Sequence, residues 1–195
     1  KKMGNNVANV TTGKPKIGGA VKIAPVGTTL PTNATASLAS AFVDAGYVSE
    51  DGVTNSNSPS VEKIKAWGGD TVQTPLSEKD DTFKMTLIEA MNLNVLKAVY
   101  GSANVSGTLA TGISIAANAS EPEEHSWVID MIFKGGVLKR VVIPNGSITE
   151  LGDVVYKDAD VVGYEVTITG LPDEDGNTHY EYIMSASGTP AAPTN

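Results

Sequence analysis

The stretch Ser126-Trp127-Val128-Ile129-Asp130-Met131-Ile132-Phe133-Lys134-Gly135-Gly136-Val137-Leu138-Lys139-Arg140-Val141-Val142-Ile143 decides the fold class. Trp127, Ile129, Met131 and Phe133 alternate with Val128, Asp130 and Ile132, the period of two that belongs to a strand. Gly135-Gly136 is a two-residue hairpin signal, and residues 137–143 pair back. Apolar residues fall on both sides of these strands. They therefore need cover on both faces, from a second sheet, a helix or a neighbouring subunit.

Towards the C-terminus, Asn145-Gly146 reads as the next turn. Residues 148–156 read as a strand weakened by Gly152. Residues 162–171 form a further strand, with Tyr164, Val166 and Ile168 opposite Glu165, Thr167 and Thr169. A turn over 173–177 leads to a last strand over 178–183. Residues 185–195 are a small-residue, proline-containing tail, expected to be mobile.

Towards the N-terminus, residues 109–118 read as a strand. Residues 82–90 are another, with Phe83, Met85 and Leu87 alternating with Lys84, Thr86 and Ile88. Asn92 starts a short helix with Leu93, Leu96 and Tyr100 on one side and Gly101 as its stop. A second short helix is expected over Thr35–Ala45, where Leu38, Ala41, Phe42 and Ala45 follow i, i+3, i+4, i+7 spacing and Gly46 takes the capping position. It is too short and Ala-rich to persist undocked, so Leu38 and Phe42 are expected to anchor it on a sheet. Residues 47–53 and 17–24 read as strands, with Gly18-Gly19 as a bulge or point of close packing. Residues 54–81 form a long excursion, turn-like at Asn55-Ser56-Asn57-Ser58-Pro59 and broken at Gly68-Gly69 and Pro75. Excursions of that length are functional or disordered.

The expected organisation is an N-terminal arm over 1–15, one β domain over 16–184 carrying the 54–81 excursion, and a tail over 185–195. The expected fold is mainly β (α+β), antiparallel, with two short helices and a long loop or hairpin excursion.

Composition agrees with one folded domain that presents wide neutral surfaces. The chain has 195 residues, 41% hydrophobic and only 18% charged. It contains no cysteine, which excludes disulfides and thiolate chemistry. The formal net charge is −8 with a pI near 4.7, and no basic patch of the kind that grips nucleic acid is visible. No apolar run approaches the roughly 20 residues of a membrane helix, and the first residues lack a signal-peptide h-region.

No catalytic constellation emerges. The two histidines, His125 and His179, lack metal-ligand spacing and read as solvated strand-end residues. Asp173-Glu174-Asp175-Gly176 imitates a calcium loop, but the position that requires Glu is Tyr182, so a β-turn explains it better. Gly13-Lys14 runs into Pro15 and is no phosphate loop. Glu121, Glu123 and Glu124 can serve as acid/base carboxylates in a hydrolase, but three acids around Pro122 read first as a solvated loop. Trp67 beside Gly68-Gly69 suits either a sugar-stacking platform or an anchor for a protein partner. The expectation is no catalytic, cofactor-binding or metal site.

Several segments resemble the major tail proteins of long-tailed, siphovirus-type phages. They are Gly46-Tyr47-Val48-Ser49-Glu50-Asp51-Gly52, Ile64-Lys65-Ala66-Trp67-Gly68-Gly69, the strand and helix from Phe83 to Gly101, and the late series Ile143-Pro144, Val155-Tyr156, Gly163-Tyr164-Glu165, Pro172-Asp173 and Asp175-Gly176-Asn177-Thr178. The resemblance covers roughly residues 14–184. The resemblance implies a fold of two packed antiparallel β-sheets forming a sandwich or barrel, flanked by one short α-helix. It also implies a structural virion protein, assembled in the bacterial cytoplasm into hexameric rings that stack as the tail tube. Its partners would be itself, a tape-measure protein and a tail terminator, with DNA passing through the lumen without specific binding. It implies no enzyme activity, no cofactor and no membrane binding by this subunit. On that reading Val61, Ile64, Trp67 and Asp70 are candidates for contacts between rings, and Glu165, Thr167 and Thr169 for the lumen wall. The alternative is a carbohydrate-binding or adhesive β-module using Trp67, Tyr100 and Tyr180.

Overall fold

The hairpin at residues 126–143 is the centre of the sheet. A computed structural model describes residues 5–186. Most of the tail expected over 185–195 lies outside the described residues, as do the first four residues of the arm. In chain order the strands are β1 (Gly13–Pro15), β2 (Val21–Pro25), β3 (Val43–Asp44), β4 (Val48–Val61), β5 (Ile64–Lys65), β6 (Thr71–Gln73), β7 (Leu76–Leu87), β8 (Val105–Thr108), β9 (Gly112–Ile115), β10 (Glu124–Phe133), β11 (Leu138–Leu151), β12 (Tyr164–Leu171) and β13 (Tyr180–Met184). One α-helix, α1 (Leu93–Tyr100), follows β7.

Nine strands form one antiparallel sheet in the order β3-β2-β10-β11-β12-β7-β4, with β1 also alongside β10 and β13 alongside β11. The strand β11 joins two wings. Its first half pairs with β13 and its second half with β12. Side chains from both wings meet in one core: Val21, Ile23, Trp127, Ile129, Val141 and Ile143 from one, Phe83, Met85, Leu87, Tyr164, Val166 and Ile168 from the other. The sheet thus folds over itself, as the sandwich reading expects. Val95 and Leu96 of α1 pack into the same cluster. Asn92 caps this helix by accepting from the Asn94 amide at 2.9 Å, and the Gly101 amide closes it on the Lys97 carbonyl.

The turn expected at Asn145-Gly146 is absent: β11 runs unbroken through it for 14 residues. The glycine is needed for contact rather than for a turn. A Cβ on Gly146 would lie 3.0 Å from Ile168 Cγ2, 3.1 Å from Ile143 Cγ2 and 3.3 Å from Trp127 Cδ1. The Trp127 indole Nε1 also donates to the Gly146 carbonyl at 3.0 Å. Gly146→Ala is therefore expected to cost about 1–3 kcal/mol by overpacking, read as a lowered urea midpoint.

Other boundaries shift. Ile17 lies outside the second strand, because Gly18 and Gly19 take positive φ and break the run before β2. The single strand expected over 109–118 is instead the β8–β9 hairpin.

The helix expected over Thr35–Ala45 does not form. Asn33 Oδ1 accepts from the Thr35 and Ala36 amides, as a helix cap would. The carbonyls of Asn33 and Ala36, which a helix would spend on residues 37 and 40, instead accept from Arg140 Nη1 at 3.2 and 2.7 Å. A short Ala/Ser segment gains too little from helical bonds to resist that competition. The segment is an irregular strap, and Val43–Asp44 leave it to pair with β2. Leu38 and Phe42 are half-buried on this strap, not docked through a helix.

Candidate assembly surfaces

Four strands, β4-β7-β12-β11, carry the surface on which a function can be built. Along β12 burial alternates strictly: Tyr164, Val166 and Ile168 point into the core, and Glu165, Thr167 and Thr169 point away from it. In β7, Phe83, Met85 and Leu87 are buried, so Thr82, Lys84 and Thr86 share the outward face. Register sets Glu165 beside Thr86, Thr167 beside Lys84 and Thr169 beside Thr82. Lys84 in turn faces Thr54, and Thr82 faces Ser56, on β4. Side chains tie the rows together. Lys84 Nζ lies 2.9 Å from Glu165 Oε1, Thr167 donates to Glu150 at 3.1 Å, and the Thr149 and Thr169 hydroxyls are 2.7 Å apart. The result is a flat field of hydroxyls with two carboxylates around one ammonium.

The field ends at β4, which has no further strand on its outer side among the described residues. An edge strand is a template for a partner strand, and β4 runs for 14 residues.

The 54–81 excursion is a hairpin arm. The ladder between β4 and β7 continues outward from the Asn57–Asp81 pair to Val61–Leu76. The Glu62 amide donates to Pro75, Ile64 pairs with Gln73, and Ala66 donates to Asp70 at 2.8 Å. At about 3.3 Å per residue this ladder projects roughly 30 Å beyond Asn57. Gly68 and Gly69 turn the tip with φ of +115° and +100°, values only glycine adopts readily. Of the four contact candidates, Trp67 is fully exposed at the turn, Val61 and Ile64 are exposed on the shaft, and Asp70 is exposed beside the turn.

Two buried carboxylates, neither singled out from the sequence, hold this architecture. Asp81 lies where the arm leaves the body. Its Oδ1 accepts from Asn55 Nδ2 at 2.8 Å, and its Oδ2 accepts from the Thr178 hydroxyl and from His179 Nδ1, each at 2.5 Å. One side chain thus clasps β4, β7 and the approach to β13. His179, expected as a solvated residue, is mostly buried and packs edge-on against Phe83. Burial pushes the Asp81 carboxyl up, but the hydrogen bonds from Thr178, Asn55 and His179 and the field of His179 together outweigh it and hold the pKa below its ordinary value. Asp130 is the second. Arg140 Nε and Nη2 grip it bidentately at 2.7 and 2.8 Å, and Lys16 Nζ adds a contact at 3.2 Å. Burial again opposes ionisation, and Arg140 with Lys16 overcomes it and lowers the pKa.

A group with a depressed folded-state pKa stabilises the fold above its unfolded value, 3.8 for both residues, and loses that contribution as pH falls through the folded value. Asp81→Asn is accordingly expected to be about 1–3 kcal/mol less stable than the parent at neutral pH. The gap should narrow in parallel urea titrations as the pH falls below 3.8 and through the lower folded-state value. A gap of the same size at both ends of the titration would contradict the role given to the charge.

The residues of the competing readings do not converge. Tyr100 packs edge-on against Tyr164, Tyr180 stacks on Tyr182 and donates to Asp173, and Trp67 is at the arm tip. Two surface hollows, of about 450 and 380 Å³, are lined by none of these three. Glu123 accepts from the Ser102 amide and hydroxyl, and Glu124 from Asn145, so both serve local structure. Asp173 accepts from the Asp175 and Asn177 amides, which makes the acidic stretch a turn. No grouping of residues able to hold a metal ion occurs among the described residues. None of the described helices is long and apolar enough to cross a membrane.

Comparison with known families agrees with the resemblance noted in the sequence. A family model described as Phage tail tube protein matches residues 3–194. A search of curated proteins finds no match.

Proposed function

The chain belongs to the phage tail tube protein family, and we propose that it forms hexameric rings whose β4-β7-β12-β11 faces join edge to edge around a continuous lumen. Membership makes it a structural component of the virion tail. The observation that carries the finer reading is the pairing of a broad polar face with a long free edge. A sheet whose outward face bears Thr82, Thr86, Thr167, Thr169, Glu150 and Glu165 suits a wall in contact with water and passing cargo. The free edge of β4 suits the seam between subunits, because ring closure removes the edge hazard.

Such a wall conducts DNA without holding it. Duplex DNA carries one negative charge per roughly 1.7 Å, and a basic wall would retain it through counterion release. Each subunit instead contributes a net charge of −8, and the lone Lys84 of this row is paired with Glu165. Screening confines the repulsion to about 8 Å at physiological salt, so it acts at the wall alone. During assembly in the bacterial cytoplasm the lumen would hold the tape-measure protein, and a terminator would cap the finished tube. The arm, through Val61, Ile64, Trp67 and Asp70, would reach the next ring.

Negative-stain imaging of the purified protein over a concentration series tests the reading. Rings or tubes of constant width are expected. A protein that remains monomeric at the highest concentrations would contradict it.

A further inference from the structure

Resting on the stacked-ring reading, we infer that the arm tip of one subunit seats Trp67 in a hollow at the foot of the β11–β12 loop, residues 152–163, of a second copy in the adjacent ring. The tip and this loop lie at opposite ends of the same strands. β7 runs from the tip, starting at Leu76, to Leu87, and Leu87 pairs with Tyr164, the first residue of β12 after the loop. A tip that projects away from the body cannot fold back along β7 to its own loop. Rings stacked head to tail bring one end of a subunit against the opposite end of the next, so the two ends must fit each other.

Each end exposes apolar side chains that the other can cover. The hollow holds about 380 Å³ and is lined by Val155, Val161, Gly163, Asp153 and Asp160 together with Thr86 and Glu165, the pair that ends the outward row at the loop, so it lies where the proposed lumen wall meets the ring boundary. Val155 and Val161 are exposed, as is the neighbouring Tyr156. The opposing tip offers a fully exposed indole with Ile64 and Val72 also exposed beside it. Lys63 and Lys65 flank Ile64 and are balanced by Glu62 and Asp70, so the tip is neutral, whereas the loop carries Asp153, Asp158 and Asp160 against one lysine, Lys157, which lies 3.7 Å from Asp160. In a chain of net charge −8, a neutral tip that presents two lysines meets the acidic loop with less repulsion than two acidic ends would.

The loop is held in place to receive such a contact. The Gly152 amide donates to the Glu165 carbonyl at 2.8 Å, and Val154 packs on the core, which leaves Val155 on the outside. At the other end a Cβ on Gly163 would meet Thr86 Cγ2 at 2.9 Å, so the neck presses directly on the sheet.

The chain has no cysteine, so introduced thiols report unambiguously. The double variant Asp70→Cys/Ala159→Cys joins an exposed tip position to an exposed loop position. Mild oxidation of its assembled tubes is expected to give a ladder of covalent multimers extending well beyond dimers, since each subunit offers one donor and one acceptor. Either single variant should give dimers at most. Trp67→Ala should raise the concentration needed for polymerisation on the order of 10- to 30-fold, the effect of losing a central aromatic anchor. Tubes that form normally from the double variant yet give no ladder would overturn the inference and leave the tube reading intact. Failure of the unmodified chain to form tubes would overturn the tube reading, and the inference with it.

Discussion

Arg140→Ala is expected to destabilise the protein by about 3–5 kcal/mol, the cost of leaving a buried charge without its partner. For a domain of this size that corresponds to a fall in Tm of roughly 6–20 °C. The Arg140 side chain is 2% exposed and that of Asp130 6%. Removing the guanidinium strands the Asp130 carboxylate with Lys16 alone, and it frees the Asn33 and Ala36 carbonyls that fix the strap. The strap should loosen first, exposing the face of β10 and β11 that carries Val128 and Val142. Arg140→Met with Asp130→Leu distinguishes charge from packing. A buried pair replaced by apolar side chains of similar size is often neutral or stabilising, so the double variant should recover much of the loss. A double variant no better than Arg140→Ala would show that the strap needs the guanidinium bonds more than the pair needs relief.

Removal of the arm is the second large effect, on assembly rather than on stability. Asn57 and Asp81 face each other across the ladder, so joining them through Asn-Gly closes the hairpin with a turn suited to that geometry. Val61, Ile64, Trp67 and Val72 all lie on the deleted shaft and tip, and all are exposed. The shortened chain should therefore fold, with Tm within a few degrees of the parent, because the Asp81 clasp is retained. Polymerisation should be lost. Tubes formed at the parent concentration would reject the arm as the contact between rings.

The central hairpin was legible because its signals are local. Gly135-Gly136 fixes the turn, and the register that follows places Asp130 opposite Arg140. A charge at an apolar-alternating position in each strand of one hairpin is the sequence trace of the buried pair, and it can be read once the turn is trusted. The outward row of β12 was legible for the same reason, since Tyr164, Val166 and Ile168 alternate without a bulge. The strap was not. Its helical spacing is real, but the carbonyls that would close the helix are claimed by an arginine more than a hundred residues away. Asn145-Gly146 misled in a related way. The dipeptide favours a turn, yet close approach of Trp127, Ile143 and Ile168 explains the glycine equally well, and only tertiary packing chooses between them. The Asp81 clasp joins residues from three distant segments and leaves no local pattern at all.

The identity of the face that lines the tube is tested most directly by a helical reconstruction of assembled tubes at side-chain resolution. Six subunits per ring are expected, with Glu165, Thr167 and Thr169 beside Thr82, Lys84 and Thr86 on the lumen wall, and β4 paired to a neighbouring subunit along its free edge. A lumen built from another face, with the β12 row on the tube exterior, or a wall dominated by lysine and arginine, would contradict the account.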